Sequence, residues 1–131
     1  MTRFAYICRD GRCVLRADGH ADFCPGSDIV CAGASALMCA LAGALDTLGA
    51  QGVQRTLSAG HAAIAADDRT DVRAASTVAV TGLRQLAEAY PGHVAEDTGR
   101  APAQEEPNGS TAAGCCPAAV PGSGQQRKKE T

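Results

Sequence analysis

The segment Asp18-Gly19-His20-Ala21-Asp22-Phe23-Cys24-Pro25-Gly26-Ser27-Asp28-Ile29-Val30-Cys31 gathers residue types that do chemistry. A cysteine in the first turn of a helix meets unpaired N–H groups and the positive end of the macrodipole, which stabilise a thiolate. The same N–H groups can receive an oxyanion as a tetrahedral intermediate forms. Cys31 falls at such a start, because Asp28 is a good N-cap residue. His20 stands before a flexible stretch, and an imidazole near neutral pH can take a thiol proton or form a thiolate–imidazolium pair. Asp28 has two roles open, capping the helix and orienting the imidazole, and capping is the more frequent. Ser35, one turn beyond Cys31, can donate into the site or bond back to a helix carbonyl. On spacing alone, a buried, inert cysteine near a helix start is the commoner reading.

These residues need elements to hold them. Residues 3–8 and 12–17 alternate in character around Asp10-Gly11, a strong hairpin signal. Phe4, Tyr6 and Cys8 share one face, as do Cys13 and Leu15. His20 then ends the second strand, and Pro25-Gly26 marks a turn or loop. From Asp28 a helix is expected with Val30, Ala34, Leu37, Leu41, Leu45 and Leu48 as its core stripe, closed by Gly49 and Gly52. Cys31, Ser35 and Met38 lie on an adjoining edge. Weaker strands over 53–58 and 61–66 flank Gly60. A second helix is expected from about Asp71, as N-cap, to Ala89, with Val72, Ala75, Ala79, Leu83 and Leu86 inward, stopped by Pro91-Gly92. The order ββαββα implies an α+β, two-layer fold: a small antiparallel sheet with two amphipathic helices on one face.

Composition sets the limits. The chain has 131 residues, seven cysteines, no tryptophan and a formal charge of -2. One domain is expected over residues 1–97, and a disordered tail over 98–131, where apolar residues are too few to offset ordering entropy. The tail ends in Arg127, Lys128 and Lys129, read as a solvated cluster. Within residues 1–97, eight arginines stand against eleven carboxylates, which argues against nucleic-acid binding. No secretory signal is expected, since polar residues follow Arg3 closely. The uncharged run Ile29–Leu45 is short for a membrane span and reads as a buried helix. The expected compartment is the cytoplasm, where thiols stay reduced. An odd cysteine count excludes a fully paired disulfide framework. Cys8 and Cys13 can face each other across the hairpin, but small strand hydrophobes is the favoured reading. Cys39 reads as helix packing.

Gly19-His20-Ala21, a short loop with Gly26, then Asp28-Ile29-Val30-Cys31-Ala32 and Ser35-Ala36-Leu37 together resemble the ribosomal-processing cysteine protease family, Prp. Leu86-Ala87-Glu88 with Tyr90-Pro91 and Val94 resembles that family's terminal helix and exit. The likeness spans about residues 3–97. It implies a bacterial cysteine endopeptidase that removes the N-terminal extension of a large-subunit ribosomal protein, the twenty-seventh in the standard count. By motif, Cys31 is the nucleophile and His20 the general base, with Asp28 and Ser35 in supporting positions. The loop from Ala21 to Ser27, including Asp22, Gly26 and Ser27, would be the mobile segment that admits peptide, with Gly26 as hinge. The family also implies a homodimer, and no cofactor, metal, nucleic-acid or membrane partner is expected. Three departures stand out: Gly33 where alanine is usual, Cys24-Pro25 in the loop, and the tail.

Two rival functions use the same residues. One is a non-catalytic, ribosome-associated binding module. The other is a thiol redox protein using Cys24 and Cys31. A metal site of His20, Cys24 and Cys31 fits no zinc spacing, which usually shows two close pairs. Gly60-His61-Ala62 echoes the first Gly-His-Ala without a following cysteine and reads as coincidence. His93 reads as an exposed residue near the chain's exit.

Overall fold

The computed structural model describes residues 1–98. The elements run β1 (Thr2–Arg9), β2 (Arg12–Asp18), α1 (Ile29–Thr47), β3 (Gln54–Ser58), β4 (His61–Asp67), α2 (Thr70–Ala89) and β5 (Val94–Glu96). The expected tail lies, beyond Thr98, outside the described residues. Asp10 (φ 52°) and Gly11 (φ 75°) both take the left-handed conformation that a two-residue hairpin turn demands. Antiparallel pairing then sets Tyr6 opposite Leu15, and Leu15 opposite Ile64 on β4. That row meets Val30, Met38, Leu41 and Leu45 of α1 and Val72, Val80 and Leu83 of α2 in one buried cluster. The fold is α+β, as expected.

The structure adds one element and moves others. β5 pairs in parallel with β1, so the five-stranded sheet, in the order β3-β4-β2-β1-β5, is mixed. The Thr2 amide donates to the His93 carbonyl (2.8 Å) and the Asp97 amide to the Phe4 carbonyl (2.7 Å), stitching the end of the fold onto its first strand. α2 begins at Thr70 with Arg69 as N-cap and no side-chain cap bond, while Asp71 lies within the first turn. Its carboxylate accepts from the Val72 amide and pairs with Arg69 instead. Met38, expected at the edge of α1, is fully buried, whereas Leu48 is exposed. By length and hydropathy α1 could cross a bilayer. Its buried positions instead make it the central helix of the core.

Cys8 and Cys13 are register partners and form a disulfide, which replaces the favoured reading of two unlinked hydrophobes. The antiparallel register brings their Cα atoms to 4.0 Å, so the side chains on this face meet directly. Nearby, Arg12 reaches the Asp67 carboxylate (2.9 Å), the Gly52 carbonyl (2.7 Å) and the Gln54 side chain (2.9 Å). Arg73 clasps Asp68 through two bonds.

Candidate active site

The other end of the sheet holds the candidate site. The start of α1, the end of β2 and the β3–β4 turn converge on an open cleft whose walls include Cys31, Ser35, Gly19, Gly60 and His61. Cys31 is half-buried, and its thiol is free. Ser35 follows one turn later on the same wall, so the structure brings these two expected residues together.

Asp28 is the N-cap, in extended conformation, and its Oδ1 accepts the Cys31 amide at 2.8 Å. Its Oδ2 accepts the Phe23 amide at 3.1 Å. The Cys31 amide first, and more weakly the Phe23 and Val30 amides and nearby His93, hold the Asp28 carboxyl below the usual carboxylate range, against an opposing effect of desolvation second only to the Cys31 bond. Of the two roles open to Asp28, capping is the one observed. It changes the oxyanion expectation as well. The Cys31 amide is occupied by Asp28, and the Ala32 amide donates to the Asp28 carbonyl at 3.0 Å. The helix start therefore offers fewer open donors than an uncapped one.

His20 is exposed at the cleft rim, beside Gly19 and against Gly60. A Cβ on Gly60 would lie 2.7 Å from His20 Nε2, and Gly60 also has φ +72°. The second Gly-His-Ala is thus no idle echo, because its glycine is the seat of the first one's imidazole. Gly19 (φ +91°) donates its amide to the Gly60 carbonyl at 2.8 Å, and a Cβ there would strike the Met1 carbonyl oxygen. His61, across the strands from Asp18, bonds that carboxylate through Nδ1. No hydrogen bond joins His20 to Cys31, and the histidine that lines the cleft with Cys31 is His61, while His20 lies outside that lining, against Gly60.

The loop between them is held at several points. Asp22 (φ 53°) places its carboxylate 3.6 Å from the Met1 amine. The Ser27 amide donates to the Cys24 carbonyl at 3.1 Å, closing a turn that contains Gly26 (φ +80°). Cys24 is exposed and free, so the Cys24–Cys31 bond of the redox reading is not formed here. Among the described residues, the side chains grouped closely enough for a metal are Cys8, Cys13 and Asp68, whose sulfurs are already bonded to each other.

Sequence reasoning missed Phe23, Tyr90 and His93. Phe23 packs edge-to-face on Tyr90 (5.2 Å between centroids) and on His93 (5.3 Å). His93 is half-buried, not exposed, and its Nδ1 donates to the Ala21 carbonyl at 2.8 Å. The available signal was an aromatic residue inside a polar loop, in a chain with only two Phe and two Tyr.

Comparison with known proteins identifies the family and the fold. A search of the curated proteins finds no match to this sequence. Among solved structures, the chain is similar to an essential ribosomal processing protease Prp from S. aureus in complex with a covalently linked product peptide. Identity is 26%, the TM-score is 0.66, and 74% of this chain and 98% of that one are covered. The same protease with a substrate peptide matches at 25% identity and a TM-score of 0.63 over the same shares. A hypothetical protein from Staphylococcus aureus shares the fold at 18% identity and a TM-score of 0.57, again over 74% and 98%. The family model described as cysteine protease Prp matches residues 1–95, and the chain belongs to that family.

Proposed function

We propose that this chain is a bacterial endopeptidase that removes the N-terminal extension of a large-subunit ribosomal protein, the twenty-seventh in the standard count, with Cys31 as nucleophile and His20 as general base. The observation that carries this reading is the placement of Cys31. It is a free thiol on a cleft wall, at a capped helix start, with His20 packed against Gly60 of the same cleft. The peptide-bearing S. aureus relatives support a peptide in that cleft.

His20 moves from its seat on Gly60 toward Cys31 and takes the thiol proton. The thiolate attacks the scissile carbonyl, and the C–S bond forms as the carbonyl π pair moves to oxygen. Because Asp28 occupies the Cys31 amide, the Ser35 hydroxyl on the same wall is the side-chain donor for that oxyanion. The carbonyl re-forms, the C–N bond breaks, and His20 passes its proton to the leaving amine. Water then attacks the thioester with His20 as base, which releases the carboxylate and restores the thiol.

We assign the working form to a homodimer in the cytoplasm, where the Cys8–Cys13 disulfide has to persist against a reducing thiol pool. Ile29 on α1 and Val78 on α2 leave apolar surface exposed, and the alanine-rich core is thin, both of which favour a second subunit. The test is direct. The purified protein, incubated with a peptide spanning the extension junction and followed by mass spectrometry, should yield one cut. Cys31→Ser and His20→Ala should each lower the rate at least about 1000-fold. Undiminished cleavage by Cys31→Ser would overturn the assignment.

A further inference from the structure

His93 belongs to neither the nucleophile nor the base, yet it touches the chain between them twice. Its Nδ1 donates to the Ala21 carbonyl at 2.8 Å, directly after His20, and a carbonyl oxygen only accepts, so Nδ1 carries the proton. Its ring stands edge-to-face against Phe23, at 5.3 Å and 82°. Phe23 in turn gives its amide to Asp28, the residue whose other oxygen holds the Cys31 amide. Ala21 is buried, so the first contact is shielded from water.

His93 is itself fixed from both sides. Its amide donates to the Tyr90 carbonyl (3.1 Å) at the end of α2, and its carbonyl accepts the Thr2 amide (2.8 Å) at the start of β1. Tyr90 completes the aromatic trio by packing on Phe23. A rigid point on the sheet and helix thus grips the loop at Ala21, next to the base, and at Phe23, which leads to the nucleophile's cap.

We propose that His93 is a positioning residue of the catalytic centre: by holding the loop at Ala21 and Phe23, it sets the approach of His20 to Cys31. The proposal rests on the protease reading above and adds a residue to it. The grip at Ala21 lies next to the base, so its loss acts on kcat more than on KM.

The experiment compares wild type, His93→Ala and His93→Asn on the junction peptide, with kcat, KM and Tm measured for each. The Asn side-chain amide supplies a donor near the position of Nδ1 without the ring. His93→Ala is expected to lower kcat at least ten-fold with KM within two-fold of wild type, and His93→Asn to recover most of that loss. Phe23→Leu, which removes the ring contact and leaves the Ala21 bond, should show an intermediate fall, and it serves if His93→Ala fails to fold. Unchanged kcat in His93→Ala overturns the proposal. So does a loss that follows Tm across the variants and is not recovered by His93→Asn. Wild type that cleaves no junction peptide overturns the protease reading and this one with it. A cleaving wild type with an equally active His93→Ala overturns this one alone.

Discussion

The two ends of the sheet use cysteine for opposite purposes. At the hairpin end, Cys8 and Cys13 are bonded across paired strands, and Arg12, Asp67, Gln54, Asp68 and Arg73 lock the surroundings with ion pairs and hydrogen bonds. At the other end, Cys31 is free and half-buried, and the residues that share its cleft come from the end of β2 and the β3–β4 turn, among them Gly19, Gly60 and His61. The difference lies in what each thiol's neighbours are doing. Where strands hold both partners in register, two thiols meet and bond. Where a helix start opens onto a cleft, Cys31 has no second cysteine in register and stays free. Under the proposed function, that lack of a bonded partner matters as much as the helix that presents the sulfur.

That contrast can be broken at three places. Gly60→Ala attacks the loose end hardest. A Cβ would collide with the His20 ring at a φ that disfavours any L side chain, so cleavage should fall more than ten-fold while the hairpin end is untouched. A peptide-cleavage assay beside a circular-dichroism spectrum separates loss of the seat from loss of the fold. Replacing the stapled pair, Cys8→Ser with Cys13→Ser, should do the reverse. Stability should drop by about 2 kcal/mol, the loop-closure value for so short a ring, with activity per folded molecule retained. Denaturant unfolding under non-reducing conditions measures it. If that double variant instead lost cleavage at full stability, the two ends would be coupled. The smallest change expected is at Gly33, where an added Cβ would rest 3.5 Å from Leu86 in ordinary contact. Gly33→Ala should stabilise α1 by about 0.5–1 kcal/mol without affecting the cut.

What the sequence disclosed follows the reach of each signal. The Asp10-Gly11 hairpin and the inward stripes of both helices are local patterns, and the structure follows them apart from Leu48 and Met38 at the edges of one stripe. β5 left no trace, because three residues become a strand only through the free edge of β1. Asp71 was a sound cap by residue type, yet the cap falls two residues earlier, where Arg69 is anchored to the Gly49 carbonyl. At the site, Cys31, Ser35 and Asp28 were legible because one helix start supplies all three. The grip of His93 on Ala21 was not, since those residues meet only after α2 has carried the chain back across the sheet. The Cys8–Cys13 bond was visible as a possibility in the alternation and needed the register to decide it.

Asp28 divides its two oxygens between a helix and a loop, and that division separates two kinds of motion. Should Phe23 lift away, one oxygen is left to water while the other still anchors the first turn of α1. Under the proposed function, such a movement would disturb the placing of His20 and leave the backbone beneath Cys31 capped, much as a door swings on a post that stays set in the wall. A peptide in the cleft would then meet a sulfur whose backbone anchor is independent of Phe23.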